Sequence, residues 1–228
     1  MTTLVLVHGA WHGAWAWEPL ERELQGRGVA TAAVELPTVG DAAADLRTDV
    51  AVVRDAVAAV DGPVVLVGHS YGGVVVTEAA AGLDQALRLV YVTAFVPDAG
   101  ESLLDQVTYG PLDWIVPAGE GLLGVAEERA RDLFYADVEP AEADRAQARL
   151  RPQAAASFGQ PVQSAAWGDV PSTYVVCTED RCIPPDAQRT WSTRASEVVE
   201  LATGHSPFLA RPGALADLLT ARLPAGGA

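Results

Sequence analysis

The sequence predicts an α/β fold: a six-stranded, parallel, doubly wound sheet interrupted by one mainly helical insertion. Three observations carry this reading. Short apolar runs alternate with stretches of helical period. Those runs are apolar throughout rather than at every second residue, as strands buried on both faces require. The alternation stops between Pro97 and Val170, then resumes.

Each element follows in order. LVLVH (4–8) is the first strand, and a helix follows with Trp17, Leu20 and Leu24 on one face, ending near Gly26 and Gly28. A second strand lies at about 29–35. Leu46, Val50, Val53, Val57 and Val60, spaced by four and three, mark the clearest helix, with Asp45, Arg47, Asp49, Arg54 and Asp55 on its other faces. PVVLVG (63–68) is the third strand, YGGVVVTEAAAGL the next helix and LRLVYVTAF (87–95) the fourth strand. Such repeated units imply right-handed crossovers.

Residues 97–170 show short helical patches near 125–136 and 140–150, several aromatics and scattered prolines, but no strand pattern. The stretch is too long for a plain loop and is expected to be a cap packed over one end of the sheet. The chain thus divides into a core of 1–96 and 171–228 and a cap of 97–170. The rhythm returns with STYVVCTE (172–179), a helix near 185–195, SEVVELA (196–202) and a last helix from Pro212 carrying Leu215, Leu218, Leu219 and Leu223. The closing LPAGGA reads as a frayed tail.

Composition narrows the function. A net charge of −15 argues against nucleic acid, whose phosphates are bound by clustered Lys and Arg. There is no charged leader and no apolar run near the ~20 residues that span a bilayer, so a soluble cytoplasmic protein without membrane contact is expected. Cys177 and Cys182 are read as free thiols in a reducing compartment. ADVEPAEAD lacks histidine and ligand spacing, so no metal is expected. No cofactor is implied: HGAWHGA lacks the GxGxxG spacing and supplies no phosphate-binding lysine.

The chemistry centres on Gly68-His69-Ser70-Tyr71-Gly72, where an apolar strand turns sharply into a helix. That context suits a nucleophile elbow, with Ser70 projecting from the C-terminal edge of the sheet. A serine hydroxyl needs a base. His8 ends the first strand, His12 belongs to the loop after it, and strand alternation points His69 away from Ser70. His205, in ATGHSPF after the last strand, is the candidate base. Its orienting carboxylate is expected from CTEDRCIPP, as Asp180 in preference to Glu179, with Asp98 after the fourth strand as a competitor. The order Ser70…Asp180…His205 is that of an α/β-hydrolase. Backbone N–H groups of Ala10 and Tyr71 are the candidate oxyanion hole.

LVLVHGAWHGAWAWEPL, VVLVGHSYGG, AFVPD, YVVCTEDRCIPPDAQRTW and GHSPF together resemble the plant methylesterase and hydroxynitrile lyase group of the α/β-hydrolase superfamily, and its bacterial esterase relatives. The resemblance covers nearly the whole chain and is weak in the cap. It implies a Ser70–Asp180–His205 triad, an oxyanion hole from Ala10 and Tyr71, and small to medium-sized carboxylic esters as substrates. The lyase branch carries a threonine in the loop after the first strand and a lysine directly after the catalytic histidine. Here those positions are Gly9 and Ser206, which disfavours cyanohydrin cleavage.

Trp11, Trp114, Phe134, Tyr135, Phe158 and Trp167, with Tyr71, are candidates for an apolar substrate pocket, the alternative being that most of them glue the cap to the core. Fold and triad do not fix the substrate. A natural-product tailoring enzyme (thioesterase, cyclase or lyase) and a non-catalytic small-molecule receptor stay open beside the esterase. Relatives often pair as homodimers, although no segment here marks an interface.

Overall fold

A computed structural model describes residues 2–223; the predicted frayed tail lies almost wholly outside the described residues. The core begins with β1 (Thr3–Val7), α1 (Glu18–Gly26), β2 (Ala30–Val34), α2 (Leu46–Ala58), β3 (Val64–His69), α3 (Gly72–Ala79) and β4 (Ala86–Val92). The insertion holds α4 (Leu103–Gln106), β5 (Ile115–Pro117), β6 (Leu122–Val125), α5 (Glu127–Phe134), α6 (Pro140–Gln147), β7 (Gln153–Ala154) and α7 (Ala156–Gly159). The core resumes with β8 (Ser172–Cys177), α8 (Pro185–Ser192), β9 (Glu197–Leu201), α9 (Pro207–Ala210) and α10 (Pro212–Thr220).

The six core strands form one parallel sheet in the order β2-β1-β3-β4-β8-β9. β1 leads outward to β2, and the chain then doubles back across β1 to β3. Right-handed crossovers in opposite directions put α1 and α2 on opposite faces. The carboxyl ends of β1 and β3 thereby flank a topological switch point, where open α/β sheets bind ligands.

Every residue of β3 is buried, whereas the edge strand β9 alternates between half-buried and exposed. α2 shows how sequence sets packing. Asp45 caps it by accepting the Thr48 N–H, and Thr48 returns the bond. Leu46, Val50, Val53 and Val57 are buried beside α3, each contributing ~1.5–3 kcal/mol of apolar burial. Asp49 departs from expectation. It belongs to the buried side of α2 and is fully shielded from solvent, because Thr38 and Tyr71 supply the hydrogen bonds that water would.

The insertion also differs from expectation in part. Beside its helices it holds a three-stranded antiparallel sheet, β5-β6-β7. These strands have three, four and two residues, too few for alternation to register in sequence. A bridge between Val39 and Gln153 ties this sheet to the loop after β2. Among the described residues no helix is long and apolar enough to cross a membrane.

Candidate active site

Ser70 sits between β3 and α3 with φ of 51°, a conformation that costs a non-glycine residue ~1–3 kcal/mol unless its surroundings enforce it. They do. The Ser70 N–H donates to Val92 O (3.3 Å), and Ser70 O accepts from Gly73 N–H (3.0 Å) and Phe95 N–H (3.2 Å). A Cβ on Gly68 would lie 2.6 Å from Gly72 O, and one on Gly72 would run into the carbonyls of Val7 and His8. Only glycines permit so tight a turn against β1.

His205 and Asp180, 25 residues apart, meet beside this turn with Nδ1 and Oδ2 separated by 2.8 Å, and both are buried. A carboxylate only accepts, so Nδ1 carries the proton and Nε2 is left basic. Asp180 is held from every side. Oδ1 accepts the N–H groups of Cys182 (2.7 Å) and Ile183 (2.9 Å), while Oδ2 also accepts Thr93 Oγ1–H (2.5 Å) and Gln188 Nε2–H (3.2 Å). The competitors Asp98 and Glu179 are exposed, and Asp98 turns back on the N–H of Ala99. Ser70 Oγ and His205 are not hydrogen-bonded among the described residues. Such contacts tighten when substrate arrives.

The other histidines, set aside as bases in the sequence, pack around this site. His8 Nε2 accepts the Leu36 N–H (3.0 Å), which leaves Nδ1–H to donate to Gly9 O (2.8 Å). His12 Nδ1–H donates to Ala10 O (2.9 Å), and its Nε2 accepts the Tyr135 hydroxyl (2.8 Å). His69 Nε2–H donates to His205 O (2.8 Å), with the two rings 4.7 Å apart. Burial dominates the titration of all three. It lowers His8 to about 4 and His12 to about 3, and holds His69 well below the ordinary value. They are neutral braces, each gripping one carbonyl of the loop after β1 or of His205.

That bracing fixes the expected oxyanion donors. Ala10 and Tyr71 are buried, and neither N–H has an acceptor among the described residues. Unpaired buried donors are rare because they cost ~1–3 kcal/mol each; here they flank the serine. The Tyr71 hydroxyl donates to Asp49 Oδ2 (2.8 Å), whose carboxyl is pushed up to about 6, chiefly by burial. Thr38 bonds the same carboxylate and links through Gln153 to the Trp11 N–H.

Ser70 opens into a narrow, apolar cavity. Ala10, Trp11, Tyr71, Trp114 and Phe158 line it, as do Phe95, Leu103, Tyr109, Leu112, Ile115, Cys182 and Ile183. Among the described residues no charged side chain lines it. Phe134, Tyr135 and Trp167 do not line it. Phe134 lies over His205 (rings 5.5 Å apart) and stacks on Trp11 (5.9 Å), Tyr135 braces His12, and Trp167 bonds Pro97 O (3.0 Å) where the insertion leaves β4. The cap also grips the loop before His205: Asp137 accepts from Thr203 Oγ1–H and Gly204 N–H, both at 2.7 Å. Cys177 and Cys182 are free and buried, with burial pushing both thiols up.

A strained elbow, a sheet switch point and a six-stranded parallel sheet define an α/β-hydrolase. The chain belongs to the alpha/beta hydrolase family, whose model matches residues 4–218. It is similar to the carbendazim hydrolyzing esterase of Nocardioides sp. (strain SG-4G), 29% identical over 97% of this chain and 99% of that protein. Methylesterase 2 of Arabidopsis thaliana is 29% identical over 95% of this chain and 94% of its own. Among solved structures, a pyrethroid hydrolase from Sphingobium faniae JZ-2 superposes with a TM-score of 0.86 at 26% identity, covering 96% of both chains. The plant and bacterial relatives expected from the quoted motifs are therefore both found.

Proposed function

We propose that this protein is a serine hydrolase of small to medium-sized, uncharged carboxylic esters, acting by two-step acyl transfer through Ser70, His205 and Asp180. The observation that carries it is the buried His205–Asp180 pair, set beside an elbow serine in enforced left-handed geometry. His205 Nε2 takes the Ser70 proton as Oγ bonds to the ester carbonyl carbon. The carbonyl oxygen, now negative, accepts from the Ala10 and Tyr71 N–H groups, each such donor being worth ~3 kcal/mol in the transition state. His205 passes its proton to the departing alcohol, then activates water to release the acid. The apolar lining favours uncharged groups on either side of the ester, and the names of the esterase relatives agree with this chemistry.

The test pairs a fluorophosphonate probe with short p-nitrophenyl esters. Labelling at Ser70 together with ester turnover, both abolished in Ser70→Ala, is the expected result. Turnover undiminished in that variant overturns the proposal.

A further inference from the structure

Trp11 is the one described residue that lines both the Ser70 cavity and a neighbouring one. On its inner side is the cavity that contains Ser70; on its outer side is a cavity, partly open to solvent, lined by Gly124, Val125, Ala130, Leu150 and Pro152, with Glu127, Gln147 and Arg151 at its polar edge. The indole is buried, and its hold is chiefly aromatic. Its Nε1–H donates one hydrogen bond, to Leu123 O in β6 (2.9 Å), and the rest is aromatic contact with Trp114, Phe134 and Phe158 at 5.4–5.9 Å. Its backbone is strained, with φ of 64°, and is clamped by Arg151 N–H donating to Trp11 O (2.9 Å). Enforced strain in a bulky residue at a site points to a role there.

The direction of the outer cavity gives that role. His205 does not line the inner cavity; it lies beneath Phe134. The base must protonate the departing alcohol, so the alcohol arm of an ester lies on the His205 side of Ser70 and the acyl arm fills the inner cavity. Phe134 and Ala130 are one turn apart on α5, and Ala130 lines the outer cavity. The path from His205 past Phe134 and Trp11 therefore leads outward into it.

Building on the hydrolase reading, we propose that Trp11 is a partition that sets alcohol specificity, and that the outer cavity is the alcohol subsite for esters of bulky, apolar alcohols once the indole swings aside. The test compares wild type with Trp11→Ala on two ester series, one lengthening only the acyl chain, the other enlarging only the alcohol. The variant should raise kcat/KM for the bulkiest alcohols relative to methyl by ~10-fold or more, the least that one well-accommodated methylene contributes in a pocket, while the acyl profile keeps its shape. Adding Ala130→Leu should remove that gain. An unchanged alcohol profile, or equal change in both series, overturns the partition. Trp11→Gly, suited to the positive φ, supplies the same opening should the alanine variant fold poorly. Calorimetric binding of the same esters in a Ser70→Ala background repeats the comparison without turnover. Absence of turnover in wild type then counts against the hydrolase, and absence of tighter bulky-alcohol binding counts against the partition.

Discussion

The rim of the sheet around Ser70 and the cap above it are held by different chemistry. The rim is held by buried hydrogen bonds: Asp180 accepts five of them, and three neutral histidines each grip a carbonyl. The cap is tied together by exposed ion pairs, such as Arg131–Asp144 at 2.6 Å, and by strands of two to four residues. Buried bonds are costly to break because water cannot replace them, whereas exposed pairs are replaced at little cost. The difference teaches that geometry is fixed at the rim and that shape is adjustable in the cap.

Substitutions should expose this contrast on a falling scale. Asp180→Asn keeps the shape of the carboxylate, but its amide can no longer hold the imidazole in the Nδ1–H tautomer. We expect kcat to fall by ~10³–10⁴-fold with the fold intact by circular dichroism. A loss under tenfold would remove Asp180 as the orienting acid. His12→Ala releases Ala10 O and orphans the Tyr135 hydroxyl. Steady-state kinetics should show kcat lowered by ~10–100-fold with KM little changed, below the full cost of losing an oxyanion donor, and denaturant titration should show a loss of ~1–3 kcal/mol.

Acid should act on the rim next. His8, His12 and His69 stay neutral in the folded protein, while the unfolded chain protonates them near the ordinary value of 6.5. Below that pH the unfolded state binds more protons, so each histidine removes up to ~1.4 kcal/mol of stability per pH unit. Asp49 works in the opposite sense. Its folded value of about 6 exceeds the ordinary 3.8, so it adds stability as pH falls through 6, offsetting about one histidine. The Tm should therefore drop between pH 7 and pH 5. A flat Tm over that range would show that the histidines are not held neutral. The smallest effect belongs to the cap: Arg131→Ala should shift stability by less than ~1 kcal/mol and leave turnover within about twofold.

The same contrast governs what the chain reveals before it folds. The central strands β1, β3, β4 and β8 were legible because strands buried on both faces are written as near-continuous apolar runs, and the edge strands β2 and β9 from their place in the strand–helix rhythm; Ser70, Asp180 and His205 were singled out because each follows a strand in a fixed order. The cap strands were not legible, being too short to show a period. The braces were hidden for another reason. A histidine's partner is chosen by tertiary structure: for His8 it is Leu36, for His12 Tyr135. Only the placing of His8 and His12 on either side of Gly9 and Ala10 hinted at a shared task. Asp49 reads as one charge among several on α2, and nothing local foretells that Tyr71 and Thr38 will enclose it. Of the aromatics named for the pocket, Trp11, Trp114 and Phe158 line it, while Phe134, Tyr135 and Trp167 serve as roof, strut and bolt.

The grip of Asp137 on Thr203 and Gly204 has a mechanical consequence. The turn between α5 and α6 holds the two residues that precede the imidazole-bearing position. Asp137 thereby makes the position of the His205 loop depend on the insertion as well as on the core. Hydrogen–deuterium exchange at the Gly204 amide should quicken in Asp137→Ala, which removes its acceptor.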